Sequence, residues 1–150
     1  MMNAAMFSSA SQEWTTPRDL FEKLNARFSF TCDVAATAEN ALFPQFFTRE
    51  DDGLSQKWTG RCWMNPPYGR NIRAWVEKAF TASTFSGALV VGLLPVRTDT
   101  EWWQLYVQRN ADIRFIRGRL KFSNAKNSAP FPSAIAIWWG WARNDGWFYA

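Results

Sequence analysis

Apolar residues return at helical spacing twice along this chain and run together without a break once. Leu20, Phe21, Leu24 and Phe28 share one helical face. Ahead of them stand Thr16, Pro17 and Asp19, which have the chemistry of a helix start: a hydroxyl cap, a proline for the first turn and an acid at capping-box spacing. A second face is formed by Ile72, Trp75, Val76, Ala79 and Phe80, and Arg73 and Glu77 are spaced there for an ion pair one turn apart. Residues 87–94 are continuously apolar, as expected of a parallel strand buried on both faces.

Shorter elements fill the intervals. Residues 28–36 predict a short buried strand running into Asp33-Val34-Ala35-Ala36, and residues 61–64 predict a brief strand stopped by Pro66 and Pro67, which cannot continue a ladder. Between them, 39–58 reads as loop with a short strand at 46–48. Thr98 and Glu101 form a second capping box before Trp102, Leu105 and Tyr106. Residues 113–116, 120–122 and 134–139 read as strands. The order helix, strand, loop, strand, helix, strand, helix and a strand-rich end predicts an α/β fold with a mostly parallel sheet and an antiparallel C-terminal element. Residues 1–12 lack periodicity and read as a flexible tail, leaving 13–150 as a single domain. In open α/β sheets ligands bind beyond the carboxyl ends of the strands, and Asp33 and Asn65 both fall at such ends.

Composition narrows the chemistry. The 150 residues are 47% hydrophobic and 20% charged, enough for one globular core. With no histidine, Ser-His-Asp and Cys-His catalysis are excluded and the commonest transition-metal ligand is missing. The two cysteines, Cys32 and Cys62, form no CxxC or zinc pattern, so no metal is called for. No apolar run approaches the roughly 20 residues of a membrane span, and a cytoplasmic protein is expected. The net charge of +4 suits a polyanion, and its placement matters more than its size. From Arg109 to Lys126 lie Arg114, Arg117, Arg119 and Lys121, with Asp112 the only acid. Ser123, Asn124 and Asn127 in the same stretch could read base edges.

Asn65-Pro66-Pro67-Tyr68 is the segment richest in chemistry. An exocyclic amine on a planar ring is a poor nucleophile because its lone pair is delocalised. Two acceptors holding its hydrogens draw the nitrogen toward tetrahedral geometry. The Asn65 side-chain oxygen and the Pro66 carbonyl can be those acceptors, and two prolines fix the backbone in advance. Tyr68 offers a ring for stacking a flipped base. By itself the tetrapeptide specifies only a planar nitrogen, so cytosine N4, RNA and protein glutamine remain alternatives to adenine.

An ordered set of segments extends the pattern: Glu13-Trp14-Thr15-Thr16-Pro17, Asp33-Val34-Ala35-Ala36, Asp51-Asp52-Gly53-Leu54, Trp58, Asn65-Pro66-Pro67-Tyr68-Gly69, Leu94-Pro95-Val96-Arg97-Thr98-Asp99-Thr100 and Gly118-Arg119-Leu120. Together they resemble the phage-type, Dam-like DNA N6-adenine methyltransferases over roughly residues 13 to 139. The resemblance implies a compact, Rossmann-like S-adenosylmethionine-dependent methyltransferase fold, encoded by a phage or prophage and working in the bacterial host cytoplasm. It implies Asn65, Pro66, Pro67 and Tyr68 as the catalytic motif. Trp14, Thr15, Thr16, Pro17, Asp33, Ala35 and Asp52 are implied as cofactor contacts. Double-stranded DNA with a flipped target base is the implied partner, with Arg70, Arg97, Arg117, Arg119, Lys121 and Lys126 as its contacts. The chain departs from larger methyltransferases after Asp33, where Val-Ala-Ala-Thr-Ala replaces a glycine-rich turn. Only 31 residues separate Asp33 from Asn65, so strands usual between those motifs are missing and the cofactor pocket is trimmed. A degenerate, non-catalytic DNA-binding protein is the remaining alternative.

Overall fold

A computed structural model describes residues 14–36 and 40–142. The expected tail at 1–12, Glu13, and the start of the loop at Glu39 lie outside the described residues. Helix α1 spans Arg18–Phe28 and buries Phe21 and Phe28. It ends at Ser29, whose left-handed backbone (φ 51°) turns its N–H back to the Asn25 carbonyl at 2.8 Å. The Asn25 side chain then accepts from the Phe30 N–H at 2.9 Å, so the chain leaves the helix with its amides satisfied. This turn shortens the strand expected at 28–36 to β1, Cys32–Asp33. The strand expected at 46–48 is a single bridge between Phe46 and Asp33.

Strand β2, Arg61–Met64, stops where the prolines require. Helix α2, Ile72–Ser86, buries Ile72, Trp75, Val76 and Ala79 of the predicted face, leaves Phe80 half-buried, and closes at Gly87, where a side chain would collide with the Trp141 ring. Strand β3, Leu89–Pro95, is buried at every residue. A π-helical turn, Trp103–Gln108, leads to β4, Asp112–Phe115, and β5, Ser133–Trp138, completes the sheet.

The sheet order is β1-β2-β3-β5-β4. It is mixed, not mostly parallel: β1–β2 and β2–β3 are parallel, while β5 runs antiparallel to both β3 and β4. The antiparallel element is thus not appended to the sheet but inserted beside its most buried strand, matching it over six residue pairs. Both strands are buried at every residue, and continuous burial suits either direction of pairing.

Other expectations change for local reasons. Residues 120–122 form no strand; Phe122 is buried there by ring packing against Trp14, Tyr68 and Phe131. Thr98 is not the cap of the following helical turn, because the Thr100 hydroxyl takes the Trp103 N–H at 3.3 Å. Glu101 pairs instead with Arg73 at 2.6 Å, which replaces the Arg73–Glu77 pair. Trp138 and Trp139 are core residues, whereas Trp141 is exposed. No described helix is long and apolar enough to cross a membrane.

Candidate active site

Two parallel strands end side by side, with Cys32 opposite Cys62 and Asp33 opposite Trp63. Their exits form the floor of a cavity of about 340 Å³. Asp33 is the last residue of β1, and Asn65 follows the last residue of β2. Three more segments complete the walls: the extended strap 14–17, the loop through 47–54 and the first turns of α2 around Asn71 and Trp75.

The loop is held to the sheet by backbone bonds, with Asp33 N–H to the Gln45 carbonyl at 3.1 Å and Phe47 N–H to the Asp33 carbonyl at 2.9 Å. Its turn is built by Asp51, which accepts from the Thr48 N–H and hydroxyl at 2.8 and 2.9 Å. These bonds hold the exposed Asp51 carboxyl below the ordinary carboxylate range. Asp52 then takes a left-handed conformation (φ 52°) and Gly53 passes directly under the wall. A Cβ on Gly53 would lie 2.3 Å from the Val34 carbonyl oxygen and 3.0 Å from the Trp75 ring, so only glycine fits. The Trp58 indole N–H fixes the Gly53 carbonyl at 2.8 Å.

The strap is tied from both sides. Thr15 donates its N–H to the Asn124 side chain at 3.0 Å and accepts from the Ser123 N–H at 3.0 Å. The Ser123 hydroxyl donates to the Thr16 carbonyl at 3.1 Å. On the other side the Asn65 amide nitrogen donates to the Trp14 carbonyl and to the Thr16 hydroxyl, the latter at 2.9 Å. Thr16 therefore does not cap α1, which starts without a side-chain cap. The Trp14 carbonyl is a pure acceptor, so the amide cannot be turned over without setting two oxygens against each other. That leaves the Asn65 side-chain oxygen buried in the cavity wall, with no donor reaching it among the described residues.

Asp33 is 3% exposed. Burial pushes its carboxyl up to about 7, against bonds from the Ala35 and Leu42 backbone that favour the charged form. Asp52 and Arg49 also line the cavity, whose walls thus carry two carboxyl groups and one guanidinium. Behind the sheet, burial raises the thiols of Cys32 to about 11 and Cys62 to about 12, so both stay protonated. Among the described residues no cluster of three His, Cys, Asp or Glu could hold a metal ion.

Of the residues expected at the site, Asn65, Pro66, Pro67, Trp14, Thr15, Thr16, Asp33, Ala35 and Asp52 line this one cavity. Pro17 is buried beside it and its carbonyl begins α1 by accepting from the Phe21 N–H at 3.1 Å. Tyr68 does not line the cavity. It is buried with its hydroxyl donating to the Leu93 carbonyl at 2.9 Å and its ring edge-on to Phe122 and Phe131. Burial pushes its phenol well above the usual range. Arg70, Arg97, Arg117, Arg119, Lys121 and Lys126 are exposed and outside the cavity. The two ion pairs among the described residues involve other side chains, so no carboxylate neutralises these six there. Ser123 and Asn124, expected to read base edges, instead hold the strap. Sequence reasoning missed Leu42, Phe47, Arg49, Leu54, Asn71 and Trp75 as lining residues. Trp75 carried a signal, since a helix following the motif presents its first turns to the same space.

The DNA N-6-adenine-methyltransferase (Dam) family model matches residues 4–141. A Haemophilus phage HP1 protein named DNA N-6-adenine-methyltransferase is 35% identical over 115 residues, 74% of this chain and 66% of that protein. An Escherichia phage T1 protein of the same name is 32% identical over 111 residues, 71% of this chain and 45% of that one. The chain thus spans just under two thirds of the first relative and less than half of the second.

Proposed function

Because the chain belongs to the DNA N-6-adenine-methyltransferase (Dam) family, we propose that it transfers a methyl group from S-adenosylmethionine to N6 of adenine in DNA. The observation that carries this is the buried, unpartnered side-chain oxygen of Asn65, fixed by the Trp14 carbonyl and the Thr16 hydroxyl. A buried acceptor without a donor costs free energy unless a ligand supplies one, and an exocyclic amine supplies two. Asn65 takes one amine hydrogen and the Pro66 carbonyl the other. Both are fixed before the substrate arrives, so little reorganisation accompanies the rise in nucleophilicity at nitrogen. Neither group is a base, so the proton that nitrogen sheds leaves to water.

The cavity fits the cofactor chemically. Asp33 is a buried carboxyl with no cation perturbing it among the described residues, matching a ligand that carries a sulfonium and an ammonium. Arg49 offers a counter-charge to a carboxylate, and Asp52 an acceptor for a nucleobase amine or ribose hydroxyls. Ala35 and Ala36 line the cavity where larger methyltransferases carry a glycine-rich turn, and their small side chains also permit close approach to backbone. Trp14, Thr15 and Thr16 close the side nearest Asn65, with Pro17 buried beside them. When bound, S-adenosylmethionine supplies an electrophilic methyl group on a sulfonium that departs as a neutral thioether. The cavity is at odds with the alternative of a degenerate DNA-binding protein.

An adenine inside a duplex cannot reach Asn65, so the target base is flipped out. Phosphates on either side meet Arg70, Arg97, Arg117, Arg119, Lys121 and Lys126. Tyr68 acts from beneath, its anchored hydroxyl holding the end of the motif. The test is to incubate the chain with labelled S-adenosylmethionine and adenine-containing duplex and to look for N6-methyladenine. Cofactor binding without transfer to any DNA would sink the proposal, and transfer to RNA or protein alone would move it to another planar amine.

A further inference from the structure

Phe115 is a large apolar side chain left 67% exposed at the edge of the sheet, on a strand otherwise rich in charge. Strand β5 is antiparallel to both β3 and β4, so β4 points the same way as β1, β2 and β3. Leu94 and Phe115 both pair with Ala134, which sets Phe115 level with the end of β3. Phe115 therefore emerges at the same carboxyl edge of the sheet as Asn65. Three strand spacings separate β4 from β2, about 14 Å at ordinary spacing.

The surroundings of Phe115 are cationic. Arg114 projects from the opposite face of the strand, and Arg117 and Arg119 follow within four residues, all exposed. Asp112, the one acid nearby, accepts from the Trp139 indole at 2.6 Å. Beyond the turn at Gly118 (φ 75°) the chain returns to Ser123 and Asn124, which hold the strap beside Asn65. One continuous segment thus joins Phe115 to the cavity.

We propose that β4 and the segment after it form the duplex-binding edge of the protein, and that Phe115 is its apolar base contact, seated against the stack beside phosphates held by Arg117 and Arg119. This rests on the proposed DNA substrate and goes beyond it by assigning a side chain to the bases. A ring amid fixed cations suits a polyanion that also presents stacked apolar faces. The same cations disfavour pairing of this edge with a second copy, since like charges would meet.

The experiment measures binding of the full chain to a fluorescent mixed-sequence duplex across a salt series, with light scattering and thermal melting on the same samples. Phe115→Ala weakens binding about tenfold at every salt concentration, leaving the slope of log affinity against log salt unchanged, because no charge is lost. Phe115→Trp stays within about twofold of the parent. Arg117→Ala reduces the slope by about one. If Phe115→Ala lowers the melting temperature, Phe115→Leu, which keeps an apolar side chain without the ring, must reproduce the loss. Affinity unchanged in the ring-less variants overturns the inference while leaving the proposed methyl transfer intact. So does a parent that self-associates and becomes monomeric on Phe115→Ala at constant DNA affinity. A parent that binds no duplex at any salt concentration overturns both.

Discussion

If Asn65 works through its oriented oxygen, losing the oxygen and losing one of its orienting bonds must differ in a calculable way. The Asn65 amide nitrogen has two acceptors, the Trp14 carbonyl and the Thr16 hydroxyl. The hydroxyl could rotate to donate to a reversed amide, but the carbonyl cannot donate, so Trp14 is the stronger determinant of orientation. Thr16→Val removes one neutral hydrogen bond of about 1 kcal/mol and keeps Trp14, giving roughly a fivefold slower transfer. Thr16→Ser restores the hydroxyl and should transfer at nearly the parent rate. Asn65→Ala removes the preorganised acceptor itself, a loss on the order of a hundredfold to a thousandfold. It also leaves the Trp14 carbonyl without its donor, about 1 kcal/mol of stability where cavity water can substitute.

The assay is single-turnover transfer of a labelled methyl group to DNA at saturating cofactor, with cofactor affinity measured separately by calorimetry. All three variants should bind cofactor within a few fold of the parent, and the ranking should lie in the transfer rate. Asn65→Ala retaining more than a third of the parent rate would refute the acceptor role. Thr16→Val as slow as Asn65→Ala, at equal cofactor occupancy, would show that the hydroxyl and not the amide oxygen does the chemistry.

A buried carboxyl held at about 7 binds its proton more tightly in the native state. The stability Asp33 contributes is therefore full below the ordinary value near 3.8 and is lost as pH rises through about 7, at most ~4 kcal/mol. Asp33→Asn should flatten the melting-temperature profile over that interval and abolish the strengthening of cofactor binding with pH; an unchanged profile rejects the assignment. Gly53→Ala pushes a methyl group into the Val34 carbonyl and the Trp75 ring, so it should cost about 1–3 kcal/mol in thermal melts and weaken cofactor binding in calorimetry. Tyr68→Phe loses one buried hydrogen bond, about 1 kcal/mol of stability, and should leave transfer within a few fold because the ring stays packed. A hundredfold loss of transfer in that variant would give the hydroxyl a direct role.

Periodicity made α2, β2 and β3 legible, because each buries residues at the spacing its geometry dictates. It failed where a side chain serves a distant partner. Thr16 carries every local mark of a helix cap, yet its hydroxyl meets Asn65, and nothing near Thr16 in the chain encodes that meeting. Phe122 suggested a strand by being apolar, but an aromatic ring can be buried from coil when other rings receive it. The insertion of β5 beside β3 was hidden for a related reason, since strands buried on both faces look alike whichever way their neighbours run. At the site, Asp33 and Asn65 were visible as polar residues at strand ends. Phe47, Arg49 and Leu54 were not, because the loop that presents them has no period and is shaped by the bonds of Asp51 and by Gly53.

The strap 14–17 gives the site a property that none of its parts has alone. One edge of it orients Asn65, and the other is held by Ser123 and Asn124 at the end of the basic segment. A duplex held on that segment and an amine docked on Asn65, as proposed, would therefore act on the same few backbone groups. Groups that share a partner are coupled, and their effects do not add. The Asn65 oxygen is already oriented in the free protein, and a duplex pinning the segment from outside would add restraint to the same strap. The length of chain from Phe115 to Asn124 is what such coupling needs, since it links the exposed edge of the sheet to the cavity wall through one continuous backbone.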